Sequence, residues 1–299
     1  MLTPGRSRRT IAAMRRAAAL AIALLVGVPA APASAAPGRH YVAIGDSYAS
    51  GPGIPERVGE PAGCGRSSNN YPSVLARWVR FASVTDVTCG GARTEDMWAP
   101  QAVPGGANPP QLDAVTRRAS LVTVSVGGND IGFGEILATC GRLAAADPLG
   151  APCQAHYTAG GTDVLAARID TVAGEVAGVL AEVRRRAPHA EIVLVGYLRI
   201  LPDGPGCWPA VPFAAGDTPY FNGTQRRLND TLARVARESG ALFANPYTSG
   251  HDACAAPEDR WVEPLRPASP AAPIHPNARG MAVTAAVVLV TTLLSARTT

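Results

Sequence analysis

The sequence predicts an α/β fold, a parallel sheet with helices on both faces. Five short apolar runs recur along the chain, helical periodicities lie between them, and the runs are continuously apolar rather than alternating. Strands that alternate with helices build parallel sheets. Strands covered on both faces need apolar residues at successive positions.

Residues 1–35 stand apart. Arg6, Arg8, Arg9, Arg15 and Arg16 come with no acid, then an apolar run over 17–28, then Ala33-Ser34-Ala35. That order is a secretory signal peptide with a small-residue cleavage site. Its apolar run falls short of the ~20 residues a spanning helix needs. The five arginines carry the excess of the +4 formal charge, so residues 36–299 are close to neutral. A near-neutral chain lacks the clustered basic face of a nucleic-acid binder. Residues 36–299 suit one domain. The expectation is an exported, extracellular monomer without stable membrane insertion once the leader is removed.

In chain order the strands are Tyr41–Ile44, then 81–88, 121–126, 191–198 and 241–247, most ending at Gly, Pro or Cys. The clearest helix covers 162–186. Leu165, Ile169, Val172, Val176, Val179 and Val183 recur at spacings of four and three; Asp163 opens it, and three arginines followed by Pro188 close it. A second covers 220–238 with Leu228, Leu232 and Val235 on one side. The last, 277–294, is apolar almost all round and reads as a buried helix packed on the sheet, with Thr284, Thr291 and Thr292 interrupting it. Segments 57–70 and 97–111 read as loops that wall a pocket.

Six cysteines in an exported chain predict three disulfides. Nearest-neighbour pairing, Cys64–Cys89, Cys140–Cys153 and Cys207–Cys254, is expected because each pair would tie a loop beside a strand end. With no Cys-x-x-Cys and no ligand spacing among the histidines, a metal site is not expected.

Chemistry gathers where the strands end, the edge at which ligands bind in such sheets. Strand one ends in Gly45-Asp46-Ser47, strand two in Cys89-Gly90-Gly91, strand three in Gly127-Gly128-Asn129-Asp130, and His275 precedes the last helix. A serine hydroxyl is a weak nucleophile without a base. Acyl transfer builds charge on a carbonyl oxygen that pre-placed N–H donors stabilise. Taken singly, these residues are also a turn, a Gly-Gly turn, an Asn cap and a surface histidine, and Asp130 reads as the cap of the following helix. His251 lies beside Asp252, but adjacent side chains rarely face each other. His40, His156 and His189 sit near the start of the domain or in loops. Trp98, Trp208 and Trp261 fit a pocket lining or ordinary packing equally. Residues 126–134 have the wrong glycine spacing for a phosphate loop and no Lys-Ser/Thr. Asn222 and Asn229 match a glycosylation acceptor pattern.

In order and spacing, these four motifs resemble the SGNH (GDSL-type) hydrolases, in particular the secreted actinomycete lipases, esterases and phospholipases, over essentially the whole of 36–299. The resemblance implies a three-layer α/β/α sandwich with a five-stranded parallel, flavodoxin-like sheet, and no cofactor. It implies Ser47 as nucleophile, His275 as general base, and the Ser47 N–H, Gly91 N–H and Asn129 side chain as oxyanion donors. Such enzymes commonly carry Asp three residues before the histidine; this chain has Ala272. A histidine needs an acceptor for its other ring N–H. The backbone carbonyl of Pro273 is expected to serve, with a remote carboxylate (Glu263, Asp259 or Asp252) as the alternative. The function expected is a secreted carboxylic-ester hydrolase acting on ester or lipid substrates. Alternatives are a phospholipase A, a carbohydrate-ester deacetylase or acyltransferase, or a binding module that has lost catalysis.

Overall fold

The computed structural model describes residues 38–297, and the signal-peptide reading of 1–35 lies outside them. The five apolar runs form one sheet: β1 (His40–Gly45), β2 (Ser83–Asp86), β5 (Ala119–Ser125), β6 (Glu191–Val195) and β7 (Leu242–Ala244), in the order β2-β1-β5-β6-β7. All four pairings are parallel. Strand residues alternate between two cores. Val42, Ile44, Val122, Val124, Ile192 and Leu194 join one; Tyr41, Ala43, Leu121, Val193, Val195 and Ala244 join the other. Two buried faces explain why β1, β5 and β6 show little polar alternation; β2, an edge strand, instead leaves Ser83 and Val84 exposed, against the expectation of a buried second strand.

Helices cover each face. On one lie α2 (Tyr71–Val79) and α7 (Ala278–Ser295), supplying Tyr71, Val74, Leu75, Met281, Ala285 and Val288. On the other lie α3 (Phe133–Ala146), α4 (Pro152–Thr158), α5 (Val164–Arg186) and α6 (Thr218–Glu238). The periodic positions of α5 are all buried, and Asp163 caps it by accepting from Leu165 N–H and Ala166 N–H.

Some segments differ from the sequence reading. Segment 97–111 contains an antiparallel hairpin, β3 (Gln101–Val103) with β4 (Gly106–Asn108), turned by Pro104-Gly105. Proline followed by a glycine at positive φ is type II turn chemistry, which the reading of a plain loop passed over. Helix α7 is not fully buried. Gly280, Met281, Thr284, Ala285 and Val288 face the interior, while Val290, Leu293 and Leu294 are more than half exposed. It packs on one side only, and its uniform composition does not reveal which side. The three disulfides join the expected pairs. Cys140–Cys153 ties α3 to α4 rather than a loop to a strand end.

The strand order reverses at β1, between β2 and β5, so a crevice opens beyond the carboxyl ends of β1 and β5. Ser47 follows one of those ends and Asn129 the other.

Candidate active site

Ser47 is the first residue of the short helix α1 (Ser47–Ser50), two positions past the end of β1. Three restraints fix this turn. Asp46 N–H donates to Ser125 O at 2.9 Å. The Gln111 amide brackets Gly45, its Oε1 accepting from Gly45 N–H at 2.7 Å and its Nε2 donating to Gly45 O at 3.0 Å. A Cβ at Gly45 would lie 2.5 Å from Ser125 O, so only glycine permits this approach of β1 to β5. Asp46 caps α1, its Oδ1 accepting from Tyr48 N–H at 2.9 Å. That leaves the Ser47 N–H uncommitted to the cap.

Gly91 follows the Cys64–Cys89 disulfide. Gly90 N–H donates to Cys64 O at 2.9 Å, and Gly90 O accepts from Gln101 Nε2 at 2.8 Å. In a planar trans peptide the Gly91 N–H points opposite to that carbonyl, so the Gln101 bond aims it. Gly91 has φ +77°, the left-handed region that favours glycine.

Asn129 donates one Nδ2 hydrogen to Ala92 O at 2.9 Å. An amide nitrogen has two hydrogens, so one remains for a group in the cleft that Asn129 lines. Asp130 does not cap α3, whose N-cap is Gly132. Its Oδ1 accepts from Thr94 N–H at 2.8 Å and Thr94 Oγ1 at 2.6 Å, joining the Gly91 and Asn129 segments.

His275 sits in a loop pinned to residues 261–263. Glu263 N–H donates to His275 O, Ile274 N–H to Glu263 O, and Asn277 N–H to Trp261 O. His275 Nδ1 lies 2.7 Å from Pro273 O. A carbonyl only accepts, so Nδ1 carries the hydrogen and Nε2 keeps its lone pair. Desolvation lowers the His275 pKa, partly opposed by the Pro273 carbonyl, which holds the ring N–H. Ile274, buried and at φ +59°, presents its carbonyl to the Tyr48 hydroxyl at 2.9 Å. The Tyr48 ring centroid is 5.5 Å from that of His275. Tyr48 therefore bridges the serine turn and the histidine loop.

Two of the three remote carboxylates, Glu263 and Asp252, are engaged elsewhere. Glu263 is fully buried and accepts from Asn277 Nδ2 at 2.7 Å, Ala268 N–H at 2.8 Å and Ser269 N–H at 3.3 Å. Asp252 accepts from Cys254 N–H, and the Asp259 backbone carbonyl meets His251 Nδ1. Burial raises the Glu263 pKa, but hydrogen bonds from Asn277, Ala268 and Ser269 and the charge of Arg260 outweigh it and hold the carboxyl below its ordinary value. A depressed carboxyl contributes stability above its unfolded pKa and loses it as pH falls through the folded one. Glu263→Gln is therefore expected to cost about 1–3 kcal/mol at pH 7 in urea denaturation, for a buried network left imperfectly paired. The deficit narrows in acid. Turnover of the folded variant stays near wild type, rather than falling by the roughly 10⁴-fold typical when an orienting carboxylate is lost.

The other histidines lie apart from Ser47. His40 Nδ1 meets Ser83 Oγ at 2.5 Å, but at the start of β1, the opposite edge of the sheet. His251 stacks on Trp261 with centroids 3.8 Å apart. His156 lies in α4 and His189 in the loop between α5 and β6. Asn222 and Asn229 are buried within α6, which removes them as glycosylation acceptors.

A cleft open to solvent extends from Ser47 and Asn129 between the β-strand ends and α6. Ile131, Phe133, Ile200, Phe221 and Leu228 form its apolar wall. The three tryptophans do not line it. Tyr48 and Tyr197 do; Tyr48 follows the Gly45-Asp46-Ser47 motif, and nothing local in the sequence marked Tyr197.

Comparison with known proteins places the chain among ester hydrolases. Residues 43–283 match the GDSL-like Lipase/Acylhydrolase family. Lipase 2 of Streptomyces coelicolor is 42% identical over 259 residues, covering 84% of this chain and 85% of that protein. An esterase of Streptomyces scabiei is 34% identical over 274 residues, covering 80% and 79%. The crystal structure of phospholipase A1 from Streptomyces albidoflavus NA297 superposes with a TM-score of 0.71 at 27% identity, covering 85% of this chain and 99% of that one.

Proposed function

Because the chain belongs to the GDSL-like lipase/acylhydrolase family and is a carboxylic-ester hydrolase, we propose that it works through an acyl-enzyme on Ser47 with His275 as base. Ser47 Oγ attacks the ester carbonyl carbon while His275 Nε2 takes its proton. The imidazolium returns that proton to the departing alcohol, leaving an acyl-serine. Water then repeats the sequence, giving its proton to Nε2 and releasing the acid. The Ser47 N–H, Gly91 N–H and free Asn129 hydrogen hold the oxyanion in both halves. The Pro273 carbonyl fixes the tautomer that leaves Nε2 unprotonated.

The observation that carries this reading is the tie between the two segments: Tyr48, adjacent to Ser47, hydrogen-bonds Ile274, adjacent to His275. Two residues more than two hundred positions apart in sequence are thereby held at one edge of the sheet. The alternative of a binding module has less support, since a binder needs neither an aimed Gly91 N–H nor a ring held in one tautomer. Asn129→Ala tests the reading. Loss of one oxyanion donor is expected to lower kcat by about 10²–10³-fold with little change in KM. An unchanged kcat would remove Asn129 from the mechanism.

The apolar cleft beside Ser47 suits the acyl portion of a lipid ester, since each buried methylene is worth about 0.8 kcal/mol. Related proteins named lipase, esterase and phospholipase A1 fit the same preference. The three disulfides and the leader-like composition of 1–35 support an exported protein acting outside the cell.

A further inference from the structure

Tyr197 occupies a position that the reaction as written does not use. It is 5% exposed and follows the end of β6, outside the four motifs. Its hydroxyl donates to Asp46 Oδ2 at 2.6 Å and accepts from Gly128 N–H at 2.8 Å. Asp46 precedes the nucleophilic serine, and Gly128 precedes the oxyanion asparagine. One phenolic oxygen therefore ties the turn that carries Ser47 to the loop that carries Asn129. The residue is itself held on both sides of its backbone: Tyr197 N–H donates to Asn229 Oδ1 at 2.9 Å, and Asn229 Nδ2 donates to Tyr197 O at 3.0 Å. Its ring meets Tyr48 edge-on at 5.2 Å.

We propose that Tyr197 is a positioning residue for ester hydrolysis, its hydroxyl setting the placement of the Asn129 oxyanion donor relative to Ser47. Rate in such a site depends on donors placed before charge develops, and a shift near 1 Å costs about 10²-fold. A single hydrogen-bonded bridge is the economical way to fix two loops that start from different strands. The Tyr197 ring is part of the cleft wall, but its hydroxyl is committed to Asp46 and Gly128, so the hydroxyl acts on donor placement in the transition state rather than on affinity. This rests on the acyl-enzyme reading given above.

The test is a double-mutant cycle on the full chain with a short p-nitrophenyl ester. Tyr197→Phe keeps the ring and removes only the bridge. It is expected to lower kcat by about 10- to 100-fold with KM within about twofold. In an Asn129→Ala background the same substitution is expected to cost less than about threefold, because the donor it positions is gone. A wild-type kcat for Tyr197→Phe, or an equal loss in both backgrounds, would overturn the proposal. If Asn129→Ala alone leaves kcat unchanged, the acyl-enzyme reading of Asn129 has failed instead, so the two failures are told apart. Should Tyr197→Phe not fold, Asp46→Asn carries the same cycle. It keeps an acceptor for Tyr48 N–H but presents Tyr197 with an amide, and the same coupling to Asn129 is expected or the proposal falls.

Discussion

Replacing Ser47 with alanine is expected to lower kcat for a p-nitrophenyl ester by on the order of 10⁴- to 10⁶-fold, the range found when a serine hydrolase loses its nucleophile. What remains is catalysis by the oxyanion donors and by binding, which act without the hydroxyl. The fold should be almost untouched. Ser47 is the first residue of α1 and the cap comes from Asp46, so alanine removes no capping bond. A thermal melt within about 2 °C of wild type, together with the activity loss, separates chemistry from unfolding. A variant that keeps a tenth of its activity would show that another group attacks the ester.

Replacing His275 with alanine is expected to have a loss of similar size, and the wild-type pH profile should carry its signature. The base works only when neutral. Burial disfavours the imidazolium and lowers the His275 pKa, with the Pro273 carbonyl opposing. The histidine step in kcat/KM therefore falls below the ordinary value of ~6.5, and activity persists into mildly acidic solution. A second group titrates nearby: burial raises the Asp46 carboxyl to about 7, against hydrogen bonds from Tyr197 and Tyr48 N–H. The two are separated by following the His275 ring proton by NMR in Ser47→Ala, where a midpoint below 6.5 is expected. A midpoint at 7 or above would mean that a carboxylate, not the Pro273 carbonyl, faces the ring.

The sheet was legible in the sequence because burial on both faces leaves a simple mark. Tyr41–Ile44 and 192–195 are apolar at every position, and such runs need no knowledge of their neighbours. As candidates, Ser47, Gly91 and Asn129 stand out in the sequence as local motifs at strand ends and His275 as one before the last helix, and the missing acid at Ala272 pointed to a carbonyl acceptor for the ring. The supports of the site were not. The bond from Tyr48 to Ile274 spans 226 positions and that from Tyr197 to Asp46 spans 151. Each depends on two loops meeting; Tyr48 sits beside the Gly45-Asp46-Ser47 motif without any sign of its partner, and Tyr197 sits in no distinctive local pattern. Asp130 was misread for a related reason: a cap and a cross-loop acceptor look alike in sequence, and only the position of Thr94 decides between them. The exposed end of α7 escaped because a helix apolar all round gives no direction.

The account stands on one hydroxyl being activated by one imidazole. A p-nitrophenyl alkylphosphonate reports that event, since the activated oxygen displaces p-nitrophenolate and stays bonded to phosphorus. Peptide mass spectrometry of the inactivated protein should place a single adduct on Ser47, formed far more slowly in His275→Ala. Full inactivation with the adduct on another residue, or labelling of Ser47 at an equal rate without the imidazole, would contradict it.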